Sequence, residues 1–266
     1  MIRSDLNKNI KEKFLFDGLS GTGKTNISLK IAKIYVLNHK KVLYIDPEHG
    51  SDRELEKMFS DLTDEELGRI ELVHATNIET YLKYMLGWVE EKHAGTQTVS
   101  IFHGVDYDLK VCDGLTTEIE LYKTRLTQKF VKQGYYMLGE RQFSIPNPDV
   151  FVLPFQFYAK LYDQIKEALV IMLDHKYDVV ATMHPLKNTD SQKDLEQSIY
   201  QKFDSVIKLN KLTLPSGMPQ WGANIIKNRG RESPDKSNVL DGVEPLLRYF
   251  INKFGMDIEE TMKKMG

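Results

Sequence analysis

The stretch Asp17-Gly18-Leu19-Ser20-Gly21-Thr22-Gly23-Lys24-Thr25 constrains this chain more than any other. It matches the pattern G-x-x-x-x-G-K-[ST], follows the short apolar run Phe14–Phe16, and precedes a segment in which Ile27, Ile31 and Ile34 share one helical stripe. Strand, glycine-rich loop and helix in that order are the context the pattern requires. The glycines let backbone N–H groups curl around a β-phosphate, and the helix N-terminus offers its positive dipole end. Lys24 reaches the β/γ oxygens and the Thr25 hydroxyl ligates Mg²⁺. Gly18, Ser20, Gly21, Thr22, Gly23, Lys24 and Thr25 are therefore the expected nucleotide-binding residues. A turn that merely joins strand to helix needs neither the lysine nor the threonine.

The rest of the chain reads as α/β. Short, largely apolar runs at Phe14–Phe16, Val42–Ile45, Ile70–His74, Leu109–Cys112, Val179–Met183, Ser205–Leu209 and Ala223–Ile226 suit strands buried on both faces of a parallel sheet. Between them, Asn26–Asn38, Ile78–Lys92 and Phe155–Asp174 carry helix-period stripes, expected as crossover helices. Glu118–Leu153 has no clean period, and His184–Asp194 is polar with Pro185 near its start; both read as long loops of functional interest. The expectation is a mostly parallel twisted sheet flanked by helices over residues 1–240, followed by a helical C-terminal appendage over 241–266.

Composition narrows the function classes. With 266 residues and 41% hydrophobic side chains the chain can pack a sizeable core, and 36 basic against 38 acidic residues leave no global field for nucleic acid or membrane. Any basic site must be local. The single Cys112 excludes a disulfide framework and a Cys-built zinc site. Met1 to Lys13 are charged and lack an apolar core, and no run approaches about 18 apolar residues, so neither a signal peptide nor a membrane span is expected and the protein is read as cytoplasmic without a membrane partner.

A carboxylate must hold Mg²⁺ opposite the Thr25 hydroxyl. Leu109-Lys110-Val111-Cys112-Asp113-Gly114 ends an apolar run in Asp113, the expected metal-organising residue. Hydrolysis also needs a group that orients or deprotonates water, and Tyr44-Ile45-Asp46-Pro47-Glu48-His49-Gly50 supplies Asp46 and Glu48 at another strand end. Asp52 is expected to cap the helix that follows.

Taken with these segments, the chain resembles the RecA/RadA superfamily of recombinase-type ATPases, and more closely the compact versions encoded by phages and archaeal viruses. The string Ile45-Asp46-Pro47-Glu48-His49 is similar to the family strand that ends at its catalytic glutamate. Val179-Val180-Ala181-Thr182-Met183-His184 resembles the strand ending in a polar residue that senses the γ-phosphate, which implies that role for His184. Ile225-Ile226-Lys227-Asn228-Arg229-Gly230 resembles a strand end whose cation reaches a neighbouring protomer's ATP, so Lys227 and Arg229 are implied as trans-acting catalytic residues of a homo-oligomer. The resemblance covers about residues 12–231. It implies a RecA-like P-loop core that hydrolyses ATP with Mg²⁺, with Glu48 and Lys24 in catalysis.

Single-stranded DNA is the expected partner, in recombination, annealing or replication. Leu121–Gly139 contains Lys123, Arg125, Lys129 and Lys132, no acidic residue, and the aromatics Tyr122, Phe130, Tyr135 and Tyr136. Cations along phosphates beside aromatics stacked on bases is how sequence-tolerant single-strand binding works. An amphipathic helix with solvated lysines would look the same. Rival functions sharing these motifs are a ring-forming DNA translocase, such as a helicase or packaging motor, a small-molecule kinase, and a non-hydrolysing nucleotide switch.

Overall fold

The computed structural model describes residues 11–48, 51–86, 88–92, 98–102, 106–174, 176–186, 190–213, 219–228, 239–240 and 243–265. The chain begins with β1 (Lys13–Asp17), α1 (Lys24–Leu37), β2 (Val42–Asp46), α2 (Asp52–Phe59), α3 (Asp64–Leu67) and β3 (Ile70–His74). It continues through α4 (Ile78–Leu86), the pair β4 (Trp88–Lys92) and β5 (Thr98–Phe102), then β6 (Leu109–Cys112) and α5 (Thr117–Gln133). A second pair, β7 (Tyr135–Leu138) and β8 (Arg141–Ser144), leads into α6 (Gln156–Asp174), β9 (Asp178–Met183) and α7 (Asp190–Lys202). The chain closes with β10 (Ser205–Thr213), β11 (Pro219–Asn228), β12 (Val239–Leu240), α8 (Glu244–Lys253) and α9 (Ile258–Met265).

The expected fold class is what these elements form. Eight strands make one sheet in the order β12-β11-β10-β1-β9-β6-β2-β3, parallel from β10 to β3 and antiparallel at β11 and β12. Every run expected as a strand lies in it. Side chains alternate between two cores, as a strand buried on both faces requires. From β1, Leu15 enters a core with α4, α6 and α7, whereas Phe14 and Phe16 enter the opposite one with α1, α8 and α9. From β2, Leu43 and Ile45 take the first side, Val42 and Tyr44 the second. The carboxyl ends of β1, β9, β6 and β2 therefore lie side by side on one edge, the place where open α/β sheets bind ligands.

The structure departs from the sequence reading in four places. The helix expected over Ile78–Lys92 stops at Leu86, and residues 88–92 pair with β5 instead; Gly87 is a poor helix former at that junction. The unpatterned stretch Glu118–Leu153 is no loop: it is mostly the helix α5 and the hairpin β7–β8, whose two-residue turn places Gly139 at φ 61, a conformation glycine tolerates best. The second loop is shorter than expected, because α7 already begins at Asp190. The cap of α2 is Ser51, and Asp52 sits in the first turn, where its carboxylate lies 3.0 Å from His74 Nε2.

The tail is fastened to the second core. Leu246, Leu247, Phe250, Ile251 and Met265 are buried there, with Phe250 against Phe14 and Tyr35. Lys253 Nζ donates to Asp178 Oδ2 at 2.9 Å, and Tyr35 Oη donates to the same oxygen at 2.7 Å. Among the described residues no helix is long and apolar enough to cross a membrane.

Candidate nucleotide site

The loop between β1 and α1 opens a cleft of about 570 Å³ that is lined by Ser20 to Ile27 and, from other elements, by Glu48, Asp113, Thr182, His184 and Val243. The structure thus brings together all seven loop residues but Gly18 with three of the distant residues expected from sequence. Gly18 lies beneath the cleft, where a Cβ would fall 2.6 Å from Thr22 Oγ1 and 2.7 Å from the Leu209 carbonyl oxygen. Any other residue there would push the loop out of shape. Lys24, 7% exposed, folds back to donate to the carbonyls of Gly18 at 2.7 Å and Leu19 at 2.9 Å. Burial lowers its pKa, opposed by Asp113, Asp17 and Glu48.

Asp113 ends β6 as expected and is 6% exposed. Its oxygens are held by hydroxyls: Thr182 Oγ1 donates to Oδ1, Tyr44 Oη to Oδ2 at 2.9 Å, and the Thr25 side chain bonds it as well. Burial raises the Asp113 pKa, and these three hydroxyls work against the rise. The donor set fits Mg²⁺ bound together with a nucleotide: one hydroxyl and one buried carboxylate already in contact, leaving the remaining positions to phosphate oxygens and water. Among the described residues no three His, Cys, Asp or Glu side chains gather into a metal cage, and this mode of binding needs none.

Asp46 and Glu48 divide the work expected of either. Asp46 is buried and accepts from the Glu48 N–H at 2.9 Å and from the Ser51 N–H at 2.8 Å, so it shapes the turn. Glu48 is the exposed one, projecting into the cleft with its Oε1 3.8 Å from His184 Nε2. The other ring nitrogen, Nδ1, lies 3.4 Å from Lys24 Nζ. Burial lowers the His184 pKa, and Lys24 lowers it further, against Glu48, Asp113 and Asp17. In the tautomer that leaves Nδ1 without a proton, the ring accepts from Lys24.

Sequence reasoning passed over the residues that hold these groups. Tyr44 and Thr182 support Asp113; a signal existed for Thr182, a lone hydroxyl in an otherwise apolar strand, but none for Tyr44. Asp17 is another: fully buried at the end of β1, it accepts from Tyr200 Oη at 2.7 Å, its Oδ1 has no hydrogen-bond partner among the described residues, and burial raises its pKa.

The remaining expected residues lie elsewhere. Lys227 is on β11, where its ammonium donates to the carbonyls of Tyr200, Gln201 and Phe203 at 2.7, 2.8 and 2.7 Å. Arg229 lies outside the described residues. On α5, Lys123 pairs with Glu120 at 3.2 Å and sits over the Tyr158 ring at 4.9 Å, and Arg125 donates to the Thr76 carbonyl at 3.1 Å. Lys129 and Lys132 are exposed near the helix end. In the hairpin, Tyr135 is exposed, whereas Tyr136 is stacked on Phe143 at 5.2 Å amid Phe130, Phe151 and Phe157. The two tyrosines therefore differ: Tyr135 offers a face, and Tyr136 belongs to an aromatic cluster.

No protein-family model and no curated protein matches the chain. The solved structures similar to it include the following three. These are the RadB recombinase (17% identity, 83% of each chain covered, TM-score 0.49) and the flagellar accessory protein FlaH from Methanocaldococcus jannaschii (16%, 86% of each, 0.45). The third is a KaiC-like protein from Pyrococcus horikoshii OT3 (14%, 82% of this chain and 79% of that, 0.47). The expected closeness to phage and viral versions finds no support among them. At these identities the likeness is one of fold, and the functional reading rests on this chain's own residues.

Proposed function

We propose that the protein is a Mg²⁺-dependent ATPase of the RecA-like type whose turnover is coupled to single-stranded DNA bound along α5 and the β7–β8 hairpin. One observation carries the ATPase part: Lys24, the Thr25–Asp113 pair, Glu48 and His184 all border one cleft, delivered by the loop after β1 and by the ends of β6, β2 and β9. In this reading Lys24 leaves the Gly18 and Leu19 carbonyls for the β/γ oxygens of the nucleotide, and a phosphate there restores the charge that burial disfavours. Thr25 and Asp113 would hold the Mg²⁺, which would supply charge neutralisation to the phosphates. Glu48 accepts the proton of the attacking water, and His184 contacts the γ-phosphate.

The DNA part is supported by exposed Lys129, Lys132 and Tyr135 at the far end of α5, a mixture of cations and an open aromatic face. A homo-oligomer with Lys227 acting in trans requires that ammonium to leave three carbonyls of its own chain; turnover that climbs with protein concentration is the measure of it.

A second reading is favoured by a neighbouring cleft of about 580 Å³, which shares Ser20, Glu48 and His184 with the first. It has room for a phosphoryl acceptor, as a small-molecule kinase would need. Steady-state hydrolysis separates the possibilities. Release of inorganic phosphate that requires Mg²⁺, rises with single-stranded oligonucleotide and is lost in Glu48→Gln supports the ATPase reading. Turnover indifferent to oligonucleotide removes the DNA coupling, and ADP formation without inorganic phosphate turns the reading to transfer.

A further inference from the structure

We infer that Thr117 is a positioning residue: its hydroxyl holds the Glu48 carboxylate in a parked arrangement, and a displacement of α5 releases it. The inference deepens the ATPase reading and rests on it.

The observation is a pair of adjacent hydroxyls at the start of one helix. Thr117 Oγ1, on the first residue of α5, donates to Glu48 Oε1. One residue earlier, Thr116 Oγ1 accepts from the His184 N–H at 2.9 Å and lies 3.1 Å from the His184 carbonyl oxygen, to which it donates. The two residues that border the γ-phosphate end of the cleft are thus both gripped by the same helix end. Because the Thr116 hydroxyl is engaged with His184, it makes no cap to its own helix. The Glu48 carboxylate meets the helix at its first residue, the positive end of the helix dipole, which favours negative charge there.

This arrangement opposes catalysis by Glu48. An oxygen that already accepts from a hydroxyl must give up that bond before it accepts from water in the same direction. Asp46 fixes only the backbone of Glu48, through the N–H, so the side chain keeps the freedom to turn away from Thr117. The grip is also tied to a distant surface. α5 runs 17 residues, roughly 25 Å of rigid helix, from Thr117 to the end that bears Lys129, Lys132 and the aromatic hairpin. Just before the helix, Gly114 N donates to Thr182 Oγ1 at 2.8 Å and Leu115 N to the Thr182 carbonyl at 2.8 Å, which pins the turn to β9. A load at the far end then tilts α5 about that pin and draws Thr117 from Glu48.

The experiment compares wild type, Thr117→Val, which keeps the shape without the donor, and Thr117→Ser, which keeps the donor, by steady-state ATP hydrolysis at saturating Mg²⁺ with and without a single-stranded oligonucleotide. Thr117→Val is expected to raise kcat without oligonucleotide about tenfold at unchanged KM, the order of one charge-assisted hydrogen bond removed from the ground state. It should also respond little to added oligonucleotide, while Thr117→Ser behaves as wild type. The double variant Thr117→Val/Glu48→Gln should show none of the gain, because the effect runs through Glu48. Unchanged or lower kcat in Thr117→Val, a Thr117→Ser that tracks the valine, or a gain that survives Glu48→Gln overturns the inference while leaving the ATPase reading intact. A wild type without turnover joined by an active Thr117→Val supports it. Absence of turnover in both overturns the ATPase reading and the inference together.

Discussion

The charges around the nucleotide cleft and those toward the far end of α5 are held in opposite ways. At the cleft, Lys24, Asp113 and Asp17 are buried and fixed by carbonyls and hydroxyls of the same chain, and burial pushes all three away from their charged forms. Near the C-terminal end of α5, Lys129 and Lys132 stand in solvent, beside the β7–β8 hairpin and the aromatic cluster around Tyr136. A buried charge that its own chain solvates with hydroxyls awaits a counter-charge from outside, whereas an exposed lysine is already solvated by water. Ligand binding should therefore show as loss of function by single substitutions at the cleft and as graded, salt-dependent changes at the helix end.

The largest effect tests the cleft. Glu48→Gln removes the proton acceptor and keeps the size, so turnover is expected to fall about 10²–10⁴-fold while nucleotide affinity, read by a fluorescent ATP analogue, stays near wild type. Lys24→Ala should lose both binding and turnover. Turnover in Glu48→Gln within about twofold of wild type would take Glu48 out of the chemistry and leave it to the turn that Asp46 builds.

The same contrast explains what could be read beforehand. The sheet was legible because both faces of every central strand are buried, so apolar runs such as Val42–Ile45 and Val179–Met183 carry no polar interruption but Thr182. The loop residues and Asp113 were legible because a G-x-x-x-x-G-K-[ST] turn between strand and helix, and an aspartate closing an apolar run, are residue types at fixed spacing. The supports were not: Tyr44 looks like any core aromatic in sequence, and Thr116 and Thr117 look like an ordinary helix start. α5 was legible only as the alternative to a DNA-reading loop, because its residues are mostly partly exposed or exposed, which blurs the helical stripe, and because it runs straight into a hairpin. The glycines at 134 and 139 marked its end and the turn, and they were the signal available.

At the helix end, the two tyrosines sharpen the comparison. Tyr135→Ala removes an exposed ring and is expected to weaken single-strand binding by about 1–3 kcal/mol, measured by anisotropy of a labelled oligonucleotide, with thermal stability little changed. Tyr136→Ala should instead lower the melting temperature by opening the cluster with Phe130, Phe143 and Phe157. Equal loss of affinity without any change in melting would place both rings on DNA. The double variant Lys129→Ala/Lys132→Ala should flatten the dependence of log affinity on log salt by about 1.4, two phosphate contacts at roughly 0.7 each. An unchanged slope would move the DNA path off α5.

The smallest effect asks whether burial alone, away from any ligand, perturbs a charge as the cleft does. Lys110 is the second residue of β6, the strand that leads into Asp113. It is fully buried, donates to the carbonyls of Tyr84 and Met85 at 3.0 and 3.2 Å, and lies 4.8 Å from the centre of the Tyr177 ring. Burial lowers its pKa to about 8, against 10.5 for an ordinary lysine. Between those two values the unfolded chain binds a proton that the folded chain has released, so stability rises with pH through this window, by at most about 1.4 kcal/mol per pH unit for one such group. Lys13, also held near 8 by burial, adds in the same direction. Lys110→Met has no proton to release. Urea unfolding at pH 7, 8, 9 and 10 should therefore give a shallower rise in stability for the variant than for wild type, with the two converging in slope below pH 8. Parallel curves across the window would mean that Lys110 keeps its proton in the fold, with the Tyr177 ring and the α4 carbonyls together offsetting its burial.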